Sequence, residues 1–203
     1  MLRRTGLFSV AVLISGLALA PSAWASDAAH QALGADQGSA TVAVAAQPPL
    51  CFGFPPTLPP GANGTPGNDV INGTNGPDTI RGLGGHDRIC GLRGNDRLLG
   101  DGGNDQLRGN GGNDDVFGGL GNDTVLGDEG ADQVRGGPGN DQVRGGPGND
   151  RLFGDAGNDR LFGDRGNDRL IGGPGFDRCD GGPGNDTAVT TGPNRCEVVV
   201  NVP

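Results

Sequence analysis

The sequence contains no lysine and no tyrosine, and only two histidines, His30 and His86. A lysine-free chain with a formal net charge of −9 argues against a nucleic-acid partner and toward cations. The histidines form no zinc-protease motif, and His86 reads as a solvated turn residue. Apolar length is scarce too. The run from Leu7 to Ala20 is short for a membrane span. It follows Arg3 and Arg4 and precedes the small-residue site Ala23-Trp24-Ala25, so residues 1–25 read as a secretory signal cleaved before Ser26. No membrane span is expected after cleavage, which takes the net charge to −11. Four cysteines in an exported chain suggest two disulfides, with three possible connectivities.

What the chain has is glycine in strict order. From Gly64 to Val189 one nine-residue phrase is written fourteen times without insertion or deletion, starting at Gly64, Gly73, Gly82 and so on to Gly181. Positions 1 and 4 are always Gly, position 6 is always Asp, and position 8 is always small or apolar, from Ile71 and Ile80 to Cys179 and Ala188. A fixed period of this kind marks stacked modules, none of which buries its apolar face alone. Invariant Gly implies either backbone angles closed to other residues or a close approach to the main chain. From the fifth repeat on, position 2 holds only Gly, Asn or Asp, the residues that tolerate a left-handed backbone. Where Pro follows at position 3, in Pro138, Pro147, Pro174 and Pro183, position 2 is always Gly, as a left-handed residue before proline demands. Positions 1 to 6 therefore read as turn, and positions 7 to 9 as a short strand with position 8 pointing inward. Two repeats per coil stack such strands into two parallel sheets with roughly 4.8 Å between neighbours.

The stacking sets position-6 aspartates over one another, Asp105 above Asp87 and below Asp123. Fourteen small core residues are too few to offset the ordering of so glycine-rich a chain, and unpaired rows of carboxylates make matters worse. Cations between the carboxylates would cure both deficits. Carboxylates with turn carbonyls form an all-oxygen, hard donor set of the kind Ca²⁺ selects, whereas Mg²⁺ requires a stricter octahedron and Zn²⁺ would want His or Cys.

The phrases GGLGNDTVL (118–126), GGPGNDRLF (145–153) and GDAGNDRLF (154–162) resemble the haemolysin-type, or repeats-in-toxin, calcium-binding nonapeptide G-G-x-G-x-D-x-U-x. The resemblance implies an all-β, right-handed parallel β-roll of fourteen half-turns in which Ca²⁺ lies between turns n and n+2. Its ligands would be turn carbonyls and the aspartates Asp69, Asp78, Asp87, Asp96, Asp105, Asp114, Asp123, Asp132, Asp141, Asp150, Asp159, Asp168, Asp177 and Asp186. Fourteen turns paired two apart allow at most about twelve ions. Repeats one to four depart from the pattern, with Thr65, Thr74, Leu83 and Leu92 at position 2 and Pro77 or His86 at position 5, so the best sites are expected from Gly100 to Asp186.

Around the roll (64–189), residues 26–63 read as a disordered Ala-rich leader that becomes Pro-rich and extended from Pro48 to Gly61. Phe52 and Phe54 are placed there to cap the first coil, fastened by a Cys51–Cys90 disulfide. Residues 190–203 read as a C-terminal strand covering the open end, with Cys179 paired to Cys196. At position 9 the even repeats align Leu99, Phe117, Phe153 and Ile171 on one outer face, an apolar stripe fit for self-association or a protein partner unless leader or tail covers it. Paired carboxylates abound, but a catalytic dyad needs one site unlike the rest, and periodicity makes them alike. The short leader leaves no room for a catalytic domain. The chain is thus expected to be a secreted, non-enzymatic calcium-binding module with a structural or adhesive role. The alternative is a targeting or regulatory subunit of a separate secreted enzyme.

Overall fold

The computed structural model describes residues 50–189, 195–196 and 198–200. The expected signal, most of the leader and much of the tail lie outside the described residues. Along the chain run β1 (Val70–Asn72), β2 (Thr79–Arg81), β3 (Arg88–Arg93), β4 (Arg97–Gly102), β5 (Gln106–Gly111), β6 (Asp115–Leu120), β7 (Thr124–Glu129) and β8 (Gln133–Pro138). They continue with β9 (Gln142–Pro147), β10 (Arg151–Ala156), β11 (Arg160–Arg165), β12 (Arg169–Ile171), β13 (Arg178–Asp180), β14 (Thr187–Ala188) and β15 (Val198–Val200). Odd-numbered strands form one parallel sheet and even-numbered strands another, each strand pairing with the one two places on. The register is eighteen residues, as in Val116↔Val134 and Leu152↔Leu170, so each coil takes two repeats. The molecule is an all-β parallel β-solenoid of about seven turns. Among the described residues no helix is long and apolar enough to cross a membrane.

Its core is the position-8 column. Ile71, Ile80, Ile89, Leu98, Leu107, Val116, Val125, Val134, Val143, Leu152, Leu161, Leu170 and Cys179 are fully buried between the two sheets, and Ala188 packs against them. In β3 to β11 the strands are twice the expected length, running from position 7 to position 3 of the next repeat. The reason is that burial alternation continues past position 9, with position 1 facing in as glycine. The left-handed residue at position 2 kinks the strand without ending the ladder, since Asp155↔Gly137 and Ala156↔Pro138 still pair. Turn is left only at positions 4 to 6.

Near-identical repeats stack equally well in several registers unless something marks one. Arg81, Arg108, Arg135 and Arg144, the four arginines at position 9, each reach the carboxylate twenty residues on, in Asp101, Asp128, Asp155 and Asp164. These are also the four aspartates at position 2. The apolar stripe of Leu99, Phe117, Phe153 and Ile171 does lie along one sheet, but its residues are half-buried, and two of them are covered: the guanidinium of Arg97 lies over Phe117 at 5.4 Å and that of Arg135 over Phe153 at 4.7 Å. The large apolar side chains that stand out most are Leu50, Phe54, Leu83, Leu120 and Phe176.

Both ends are closed covalently. Cys51 bonds to Cys90, and Cys179 to Cys196, matching the expected pairs. Residues 51–54 are not simply extended. Cys51 and Phe54 exchange two main-chain hydrogen bonds across a tight turn with φ of 50° at Phe52 and 84° at Gly53. Phe52 packs on the Cys51, Val70 and Cys90 cluster, whereas Phe54 stays exposed beneath Arg88. The strap that follows bonds from Thr57 N–H to the Val70 carbonyl and from Gly61 N–H to that of Asn72, and Leu58 packs against the core. At the far end β15 joins β13 in parallel.

Candidate metal sites along the two turn edges

Position 1 places an inward-facing glycine where the aspartate of the same repeat folds back over it. A Cβ on Gly118 would stand 2.5 Å from Asp123 Oδ2 and 2.6 Å from the carbonyl oxygen of Gly136, one coil away. Here glycine answers to close approach, not to backbone angle. The space that any other side chain would fill holds carboxylate and carbonyl oxygens. At the last coil the Arg195 carbonyl stands over Gly172 in the same way, so the disulfide-held tail continues the oxygen wall. Position 2 is left-handed as expected, with φ of 68° at Asp101 and 77° at Asn110. It is equally so at Leu83 (77°) and Leu92 (81°), so repeats three and four adopt the turn of the later ones despite their leucines.

The aspartates form one ladder on each edge. From Asp69 to Asp168, each donates its N–H to Oδ1 of the aspartate eighteen residues on, at 2.7 to 2.9 Å. All but Asp78 are buried. The second oxygen is another matter. No hydrogen-bond donor reaches Oδ2 of Asp87, Asp96, Asp105, Asp114, Asp123, Asp132, Asp141, Asp150, Asp159, Asp168 or Asp186, although each is shielded from water. A buried carboxylate oxygen without a partner carries the full cost of its lost hydration. Burial accordingly pushes the carboxyls of Asp105, Asp132, Asp141 and Asp150 up to about 7 and those of Asp114 and Asp159 to about 6. The backbone N–H on Oδ1 opposes the rise, and for most of them the neighbouring rungs' negative charge adds to it.

Repeats one and two are built differently. Asp69 Oδ2 accepts from Thr65 N–H at 2.7 Å and from the Thr65 hydroxyl at 2.8 Å. Asp78 Oδ2 accepts from Thr74 N–H at 2.6 Å and from its hydroxyl at 3.0 Å. Neither threonine is left-handed.

Outside the aspartates, position 5 builds a second ladder. The Oδ1 atoms of Asn104, Asn122 and Asn140 accept the N–H of position 5 one coil on, at 2.8 Å. Asn95, Asn149 and Asn167 do the same on the other edge. His86 is exposed, as expected, yet its Nδ1 accepts from Asn104 N–H at 2.8 Å and so stands in for asparagine. The ladder was legible as a column of Asn residues, but the pattern leaves position 5 unspecified and draws attention to Gly and Asp instead. These rows border a groove on each edge, one of about 420 Å³ lined by Asp114, Asp132 and Asp150 and one of about 360 Å³ lined by Asp123 and Asp141.

Among the described residues no three acidic, His or Cys side chains converge on one point. An ion here would have to draw on stacked carboxylates and on backbone carbonyls. That donor set is all oxygen, hard and negatively charged, and the unpartnered Oδ2 atoms fit Ca²⁺ better than any neutral ligand. A model of the RTX calcium-binding nonapeptide repeat matches the chain in four copies, over residues 63–98, 91–125, 126–161 and 153–188. A search of curated proteins finds no match. The four copies cover well over half of the chain, which therefore belongs to the RTX calcium-binding nonapeptide repeat family.

Proposed function

We propose that this is a secreted module that folds when Ca²⁺ binds between turns n and n+2, and that it serves outside the cell as a structural or adhesive element without enzymatic activity. The observation that carries this reading is the line of buried Oδ2 atoms that no donor reaches. Stacked aspartates such as Asp105 and Asp123, or Asp114 and Asp132, would supply the charged ligands, and carbonyls of the intervening turns the rest. Bound calcium supplies the positive charge that lets these carboxylates stay ionised while buried. Two disulfides, together with an N-terminal stretch whose sequence reads as a secretory signal, support export to a compartment that is oxidising. Docking to a separate enzyme through Leu99, Phe117, Phe153 and Ile171 draws less support, because the chain's own arginines already cover two of these side chains.

The test is a calcium titration of the disulfide-bonded protein followed by far-ultraviolet circular dichroism. A disordered spectrum in chelator that converts cooperatively to β-structure in millimolar Ca²⁺ is expected. A spectrum that is the same with chelator and with calcium would remove the calcium reading.

A further inference from the structure

Two aspartates of the ladder already have what the others lack. We infer that Thr65 and Thr74 take the place of calcium at Asp69 and Asp78, so that ion binding begins at the third repeat and the first two half-turns form a metal-independent cap. This rests on the calcium reading above.

Each threonine acts twice. Its N–H and hydroxyl both donate to Oδ2 of the aspartate four residues on, the atom that has no donor in Asp87, Asp96 and the aspartates of repeats five to twelve. A carboxylate oxygen that accepts two hydrogen bonds gains less from a cation and has fewer lone pairs to offer it. The same side chain also fixes the backbone. A β-branched residue resists the left-handed region that position 2 adopts from Leu83 onward. The Thr65 and Thr74 hydroxyls in turn accept from Gly67 N–H and Gly76 N–H, both at 3.2 Å, which closes the turn in its alternative form. The backbone of the first two turns therefore differs from that of the later ones at position 2, where Thr65 and Thr74 are not left-handed.

The location makes sense of the device. The first coil has no earlier turn beneath it to share an ion, and its open end is covered by the strap that Cys51 ties to Cys90. Hydroxyl groups can satisfy carboxylates there without a lower neighbour. The cap then offers the next strands a ready-made edge.

Native mass spectrometry of the calcium-loaded full chain counts bound ions and tests this. The double variant Asp69→Asn/Asp78→Asn should hold as many calcium ions as the parent, whereas Asp123→Asn should hold fewer. The double variant Thr65→Gly/Thr74→Gly should hold up to two more, and Thr65→Ser/Thr74→Ser the parental number. Loss of ions from the Asp69/Asp78 variant, or no gain in the glycine variant with its circular dichroism intact, would overturn the inference. A parent chain that holds no calcium at all would instead overturn the reading on which it rests.

Discussion

At the scale of single residues the roll is shaped by what two columns exclude. Position 1 excludes any Cβ because carboxylate and carbonyl oxygens occupy its place, and position 2 selects for a left-handed backbone. Leu83 violates the second rule. Its φ is 77° and its side chain is 41% exposed, so it carries the steric cost of the conformation with little packing in return. That cost is about 1–2 kcal/mol for an ordinary side chain and less for asparagine, which holds the same angle at Asn110. Leu83→Asn is expected to stabilise the calcium-loaded protein by about 1 kcal/mol, seen as a higher thermal midpoint. Leu92→Asn should show no such gain, because Leu92 packs against the Cys51 and Cys90 cluster.

At the scale of strands the question is how near-identical units find one register. The core column and the aspartate ladder would both survive a slip of one whole coil. The arginine pairs would not: in the slipped register Arg81, Arg108, Arg135 and Arg144 meet Gly119, Gly146, Gly173 and Gly182 in place of their aspartates. Each pair is partly exposed, so each is individually weak, and the four together discriminate more than any one stabilises. A double-mutant cycle on Arg135→Ala and Asp155→Ala, read by calcium-dependent unfolding, should give a coupling of about 0.2–1 kcal/mol. The coupling should shrink in high salt, since both groups face solvent. A coupling of zero at low salt would deny the pair its register role.

At the scale of the whole molecule, protons and calcium compete for the same oxygens. The buried carboxyls of Asp105, Asp132, Asp141 and Asp150 are pushed from an ordinary 3.8 up to about 7 in the folded roll. A group raised on folding stabilises the folded state fully below its ordinary value, and that stabilisation is lost as pH rises through the folded one. Without metal the roll should therefore be most stable near pH 4 and lose that stability between about pH 4 and 7. With calcium the sign inverts, because the ion requires the charged form. Circular dichroism in chelator should show more β-structure at pH 4 than at pH 8, and calcium affinity measured by titration should fall as pH drops below about 7. An acid-insensitive metal-free chain would contradict both expectations.

How much of this was legible in advance varies with the kind of interaction. The nine-residue period, the inward column from Ile71 to Ala188, the eighteen-residue stacking and the aspartate rows are one-dimensional facts, because in a solenoid sequence separation and spatial separation are locked together. The Cys179–Cys196 disulfide was readable from the same stacking, as the two are nearly one coil apart, whereas Cys51 lies outside the repeats and its bond to Cys90 was decided by the fold. The six-residue length of the middle strands was not, since a left-handed residue reads as a strand-breaker until the ladder beyond it is seen to pair. The contrast within the aspartate column was legible in part, since Thr65 and Thr74 at position 2 set repeats one and two apart. In sequence Asp69 and Asp123 are the same letter at the same phase, and only the folded turn brings a threonine hydroxyl to one and leaves the other without a donor.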